Sequence, residues 1–134
     1  MENSRMKVIL LSNNNDVVEL MATIFKRTIR PSCIFELVVV GDARKLLEET
    51  DFTDLSTAIL VDMHHAQARD VVTQLDAQKI TKRLSVVVIC TWESSEEDVQ
   101  FGRDAGARSY FIIGHSSKLE LPALLFEMRG VEFW

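Results

Sequence analysis

Thr57-Ala58-Ile59-Leu60-Val61-Asp62 is the stretch that decides the fold. Four apolar residues run without a polar break and end on a carboxylate. A short apolar run of this kind, with no in–out alternation, fits a strand covered on both faces, as in parallel sheets. Similar runs lie on both sides of it. Val8-Ile9-Leu10-Leu11 precedes it and ends in Ser12-Asn13-Asn14-Asn15. Val86-Val87-Val88-Ile89-Cys90 follows and ends on Thr91, and Tyr110-Phe111-Ile112-Ile113 closes the series. Strands are read at residues 8–11, 35–40, 57–62, 84–91 and 109–113. The fourth is the most apolar and is placed centrally.

The segments between these runs carry helical periodicity. Val17, Leu20, Met21, Ile24 and Phe25 recur at i, i+3, i+4, i+7 and i+8, which predicts a helix over residues 16–28. Asp16 with Glu19 has the form of a capping box, and Pro31 closes the segment. Gly41-Asp42 turns into a short helix through Leu46 and Leu47. A helix over residues 66–79 places Val71, Val72 and Leu75 inward. Ser94 or Ser95, with Glu97 or Asp98 three residues on, opens another that runs to about Ala105, and Gly106 stops it. Ser117-Lys118-Leu119-Glu120 caps a last helix with Leu121, Leu124, Leu125 and Met128 inward.

Five strands alternating with five helices define an α/β fold, a doubly wound five-stranded parallel sheet with helices on both faces. Right-handed crossovers favour the strand order 2-1-3-4-5. In that order Ser12, Asn13, Asp62 and Thr91 share one rim, at the carboxyl ends of strands 1, 3 and 4, where open α/β sheets bind ligands.

Composition narrows the function classes. The chain has 134 residues, 47% hydrophobic and 26% charged, which fits a single domain over 1–134 with a core of its own. Net charge is −5, with no Lys/Arg block longer than two residues, so a nucleic-acid partner is not expected. Cys33 and Cys90 make no disulfide framework and point to a reducing, cytoplasmic setting. No apolar stretch approaches the ~20 residues that span a bilayer. The opening Met1-Glu2-Asn3-Ser4-Arg5 is too polar for a signal peptide, so no membrane association is expected.

In order along the chain, four segments resemble the receiver domain of two-component response regulators. They are residues 10–20, the run Ala58-Ile59-Leu60-Val61-Asp62, Val88-Ile89-Cys90-Thr91, and Asp104-Ala105-Gly106-Ala107-Arg108-Ser109-Tyr110. The resemblance covers nearly the whole length and no output domain is visible in it. It implies Asp62 as the phospho-acceptor candidate, with Thr91 and Tyr110 as switch candidates. The departures are as informative. The family's acidic pair, which helps bind magnesium, falls on Ser12 and Asn13. Its lysine near the end of strand 5 falls on Ile113 and the following proline on Gly114. The Pro-Gly turn after the acceptor is replaced by His65-Ala66-Gln67, and the small residue after the switch Thr by Trp92.

Magnesium prefers several anionic oxygens in octahedral geometry, and Asp62 with neutral amide or hydroxyl oxygens supplies one charge instead of three. Without metal or lysine, nothing offsets charge on a transferring phosphoryl group. The sequence therefore reads as an atypical receiver that signals through protein contact, without an enzymatic activity and with weak or absent magnesium binding. By resemblance its interaction face includes Gln100, Arg103, Asp104, Tyr110, Lys118 and Leu121. The implied partners are a histidine kinase or a downstream effector, with a homodimer as another arrangement.

Two rival readings stay open. In one, Asp62 is a working acceptor in a phosphorelay. In the other, the chain is a flavodoxin-like binder of a phosphate-bearing ligand or cofactor, held at Ser12-Asn13-Asn14-Asn15. A metal site from His64, His65 and His115 near Asp62 matches no established ligand spacing. Asp16 could replace a lost metal ligand, but capping accounts for it more simply. The apolar tail, ending in Phe133-Trp134, either folds back or docks on a partner. The chain could also be a piece of a longer protein.

Overall fold

A computed structural model describes residues 4–26, 33–51, 57–78, 85–90, 96–107 and 109–113. Along the chain these form β1 (Ser4–Leu11), α1 (Asn15–Lys26), β2 (Cys33–Val40), α2 (Ala43–Glu49), β3 (Thr57–Asp62), α3 (Ala68–Ala77), β4 (Ser85–Cys90), α4 (Glu96–Asp104) and β5 (Ser109–Ile112). All strand pairs are parallel, in the order β2-β1-β3-β4-β5. That is the order expected from the sequence. The predicted last helix, with Leu121, Leu124, Leu125 and Met128, lies outside the described residues, as do Thr91, Trp92, Lys118 and the Phe133-Trp134 tail.

β3 is the middle strand, as that order implies. All six β3 residues are buried. β4 is interior as well, between β3 and β5, but one place from the edge. Both are covered on two faces, so their apolar content does not separate the middle strand from its neighbour.

Alternation splits the core into two layers. Met6, Val8 and Leu10 of β1, with Ala58 and Leu60 of β3, face Val17, Met21, Ile24 and Phe25 of α1. Ile9, Leu11, Ile59 and Val61 face the other way, against Leu46 of α2 and Ala68, Val71, Val72 and Leu75 of α3. Successive strand residues point to opposite faces, so one run of apolar residues serves both layers.

Several element boundaries differ from the expectation, beginning with β1, which starts at Ser4 and not at residue 8. β2 begins at Cys33 and pairs with β1 along its whole length, from Ser4↔Cys33 to Leu11↔Val40. The N-cap of α1 is Asn14, not Asp16. Asn14 Oδ1 accepts from the N–H groups of Asp16 at 2.9 Å and Val17 at 3.4 Å, and the Asn14 carbonyl accepts from Val18 N–H at 3.0 Å. Asp16 falls in the first turn, where a carboxylate suits the helix dipole. α3 starts at Ala68, two residues later than expected, because residues 63–67 are folded into turns. At the other end of the pattern Gly106 stops α4 as expected. It takes φ 81°, and Ala107 N–H closes back on the Gly102 carbonyl at 2.9 Å.

Candidate functional site

The parallel register carries β1, β2 and β3 to a common rim. Leu11 pairs with both Val40 and Val61, so Ser12, Gly41 and Asp62 leave the sheet side by side. Asp62 stands at the end of the buried strand and is only 2% exposed. A buried carboxylate needs hydrogen-bond partners or it loses its charge. Asp62 has them within the chain. Its Oδ2 accepts from the Ser12 hydroxyl at 2.7 Å, and its Oδ1 accepts from the His64 N–H at 3.0 Å.

Ser12 is itself buried and uses its hydroxyl twice, since Oγ also accepts from Asn14 N–H at 3.1 Å. The polar rim is thereby wired into the start of α1. A second set of bonds ties three loops together around one backbone oxygen. The Gly41 carbonyl accepts from His65 Nε2–H at 2.7 Å and from the Asn13 amide at 3.2 Å. The tautomer follows from the other ring nitrogen. His65 Nδ1 accepts from Gln67 N–H at 3.0 Å, so the proton sits on Nε2. Asn13 Nδ2 and His65 Nε2 lie 3.1 Å apart because both donate to the carbonyl between them. Gln67 Oε1 completes the set by accepting from Ala43 N–H at 2.9 Å, at the start of α2.

Asn13, Asn14, Asp62, His64, His65 and Ala66 line a cavity of about 360 Å³ beside this rim. Among the described lining residues the one carboxylate is Asp62. The residues do not fit a magnesium ion. A hard cation takes several anionic oxygens in octahedral array, whereas the described lining offers one carboxylate, tied to the Ser12 hydroxyl and the His64 N–H, and the Asn13 amide nitrogen is turned to Gly41. Among the described residues no three His, Cys, Asp or Glu side chains converge as a metal site requires. His65 spends both ring nitrogens on loop contacts, and His115 is outside the described residues.

The structure thus brings Ser12, Asn13 and Asp62 together, as the topology implies. Thr91 lies outside the described residues. Ile113, at the family's lysine position, is half-buried and packs against the α1-side core layer. Gln100, Arg103 and Asp104 are exposed on α4, with Gln100 Nε2 donating to Asp104 Oδ1 at 2.8 Å. Tyr110 is 44% exposed on the edge strand β5, beside which α4 packs. Lys118 and Leu121 are outside the described residues. Gly41 and Gln67 were missed by sequence reasoning. No local pattern shows that a backbone carbonyl and a distant amide will meet a histidine.

No protein-family model matches the chain, and no curated protein matches it significantly. Solved structures do match in shape. A response regulator of red light signalling from R. palustris is 18% identical with a TM-score of 0.61, covering 96% of this chain and 93% of that one. The chemotaxis response regulator CheY4 of Vibrio cholerae is 17% identical with a TM-score of 0.65, covering 90% and 97%. The signal receiver domain of a histidine kinase from Syntrophus aciditrophicus is 14% identical with a TM-score of 0.70, covering 93% and 90%. The fold of this chain is therefore the CheY-like fold of response-regulator receiver domains.

Proposed function

We propose that this chain is an atypical receiver-like module that transmits a signal by protein–protein contact, without magnesium-dependent phosphorylation and without catalysis of its own. One observation carries the reading. Asp62, at the acceptor position of the fold, is buried with each carboxylate oxygen already bonded, one to the Ser12 hydroxyl and one to the His64 N–H. Where receivers hold a metal with an acidic pair, this chain has a serine that satisfies the aspartate directly and an asparagine turned to Gly41. Hydrogen bonds have taken over the work of neutralising the rim.

The solved structures of similar fold are named as response regulators and as part of a signal transduction histidine kinase. A histidine kinase or a downstream effector is accordingly the proposed partner class, with a second copy of the chain as an alternative. The proposed contact surface is α4 with β5, where Gln100, Arg103, Asp104 and Tyr110 are exposed. No described helix is long and apolar enough to cross a membrane.

Amide NMR tests the site directly. Millimolar magnesium followed by beryllofluoride, an acyl-phosphate mimic, leaves the Ser12, Asp62 and Tyr110 resonances in place on this reading. Saturable shifts at those residues sink it. They would favour the rival reading, phosphoryl transfer to Asp62, which draws support from the cavity beside that carboxylate. That rival requires the Ser12 hydroxyl to leave Oδ2. It predicts a mass gain of one phosphoryl group from a small phosphodonor, lost in Asp62→Asn.

A further inference from the structure

α4 is anchored in an unusual way. Its one buried position is Gly102, which brings no side chain. Val99 and Phe101 are partly buried against the core layer of α2 and α3. Two residues apart, they project roughly 200° from one another around the helix, and only the small Ala105, just past its end, continues the Phe101 face. A charged contact to α3 is added to this thin apolar one. Arg69, the second residue of α3, places its guanidinium carbon 4.8 Å from the centre of the Phe101 ring. The same guanidinium donates through Nη2 to Asp98 Oδ1 at 3.1 Å.

Asp98 and Phe101 are three positions apart, hence neighbours on the helix surface. One flat cation spans both, stacking on the ring and bonding the carboxylate. Asp98 is sheltered, its side chain 16% exposed, while that of Arg69 is 53% exposed. The acidic end of the pair is thus partly shielded from salt and the basic end is within reach of solvent.

We propose that Arg69 is the latch that fixes α4 against α3. The α4–β5 surface is then held in one arrangement by a contact that lies one turn from the Asp62 loop and can open without unfolding the core. That last role rests on the docking reading above; the latch itself does not.

Hydrogen exchange on the full chain tests it, comparing the amides of α4 with those of α1. Arg69→Gln is expected to raise α4 exchange roughly fivefold to thirtyfold, as loss of a local anchor does. The α1 amides stay within twofold of the parent. Arg69→Lys, which keeps the charge and loses the flat stacking, gives a smaller rise in the same segment. Asp98→Asn added to Arg69→Gln adds little further. An α4 rate within twofold of the parent in Arg69→Gln overturns the proposal. So does an equal rise in α1, which marks general loss of stability. Neither readout uses a partner, so a failed docking experiment leaves the latch standing, and a failed latch leaves the docking surface to be tested by itself.

Discussion

α1 and α4 lie on opposite faces of the same sheet and are held by different physics. α1 buries Val17, Met21, Ile24 and Phe25 in the core, with Val18 and Leu20 packed beside them. Each such side chain contributes roughly 1.5–3 kcal/mol on burial. α4 buries a glycine, half-buries Val99 and Phe101, and relies on Arg69. An ion pair with one partner half exposed and a cation–π contact are together worth about 1–2 kcal/mol before solvent screening. The core therefore fixes α1, while α4 is set by a contact of the size that binding events can overturn. A fold of this kind can keep one helix rigid and leave another adjustable without any difference in backbone geometry.

The comparison breaks most visibly at Met21. Met21→Ala leaves a cavity in a fully buried site and should cost about 2–5 kcal/mol in urea unfolding, with all probes reporting one transition. A loss under about 1 kcal/mol would mean that α1 is no better anchored than α4. Ser12→Ala comes next. It strips a hydrogen bond from buried Asp62 and an acceptor from Asn14 N–H, and should cost roughly 1–3 kcal/mol by the same measurement.

Asn14→Ala removes the cap of α1 at a cost of about 1 kcal/mol. Asp16→Asn should cost only a few tenths, as a dipole effect in the first turn does. The reverse ranking would restore Asp16 as the cap. Arg69→Gln sharpens the contrast from the other side. Global stability should fall by less than about 1.5 kcal/mol although α4 exchange accelerates. Smallest of all is Glu48→Gln. Its i, i+4 pair with Arg44 is exposed at both ends, so thermal unfolding should agree with the parent within about 0.5 kcal/mol.

The parts of this molecule that were legible in the sequence are those set by local periodicity and chain topology. The α1 stripe, the β3 run ending on Asp62, the stop at Gly106 and the strand order all follow from spacing and handedness. The meeting of Ser12 with Asp62 follows from the order, though the hydrogen bond between residues 50 apart does not. The Arg69–Asp98 contact bridges 29 residues, and neither side chain stands out in its own segment. The sequence does not single out the cap of α1, because Asn14, Asn15 and Asp16 all carry suitable oxygens. The choice was made by Ser12, whose hydroxyl holds Asn14 N–H and fixes where the turn ends. Hydrophobicity could not rank β3 and β4 because both are covered on two faces.

The oxygen that gathers Asn13 and His65 belongs to the main chain of Gly41. Every amino acid presents that same atom, so no codon change at position 41 can delete it. What a codon change there can do is add bulk, since a Cβ would come within 3.0 Å of Asn13 Oδ1. The centre of the rim is thus invisible to a side-chain scan, while its periphery, Asn13 and His65, is open to drift. Inheritance can rewrite the spokes of this wheel but not its hub; only an amide-to-ester exchange in the backbone itself would weaken the acceptor.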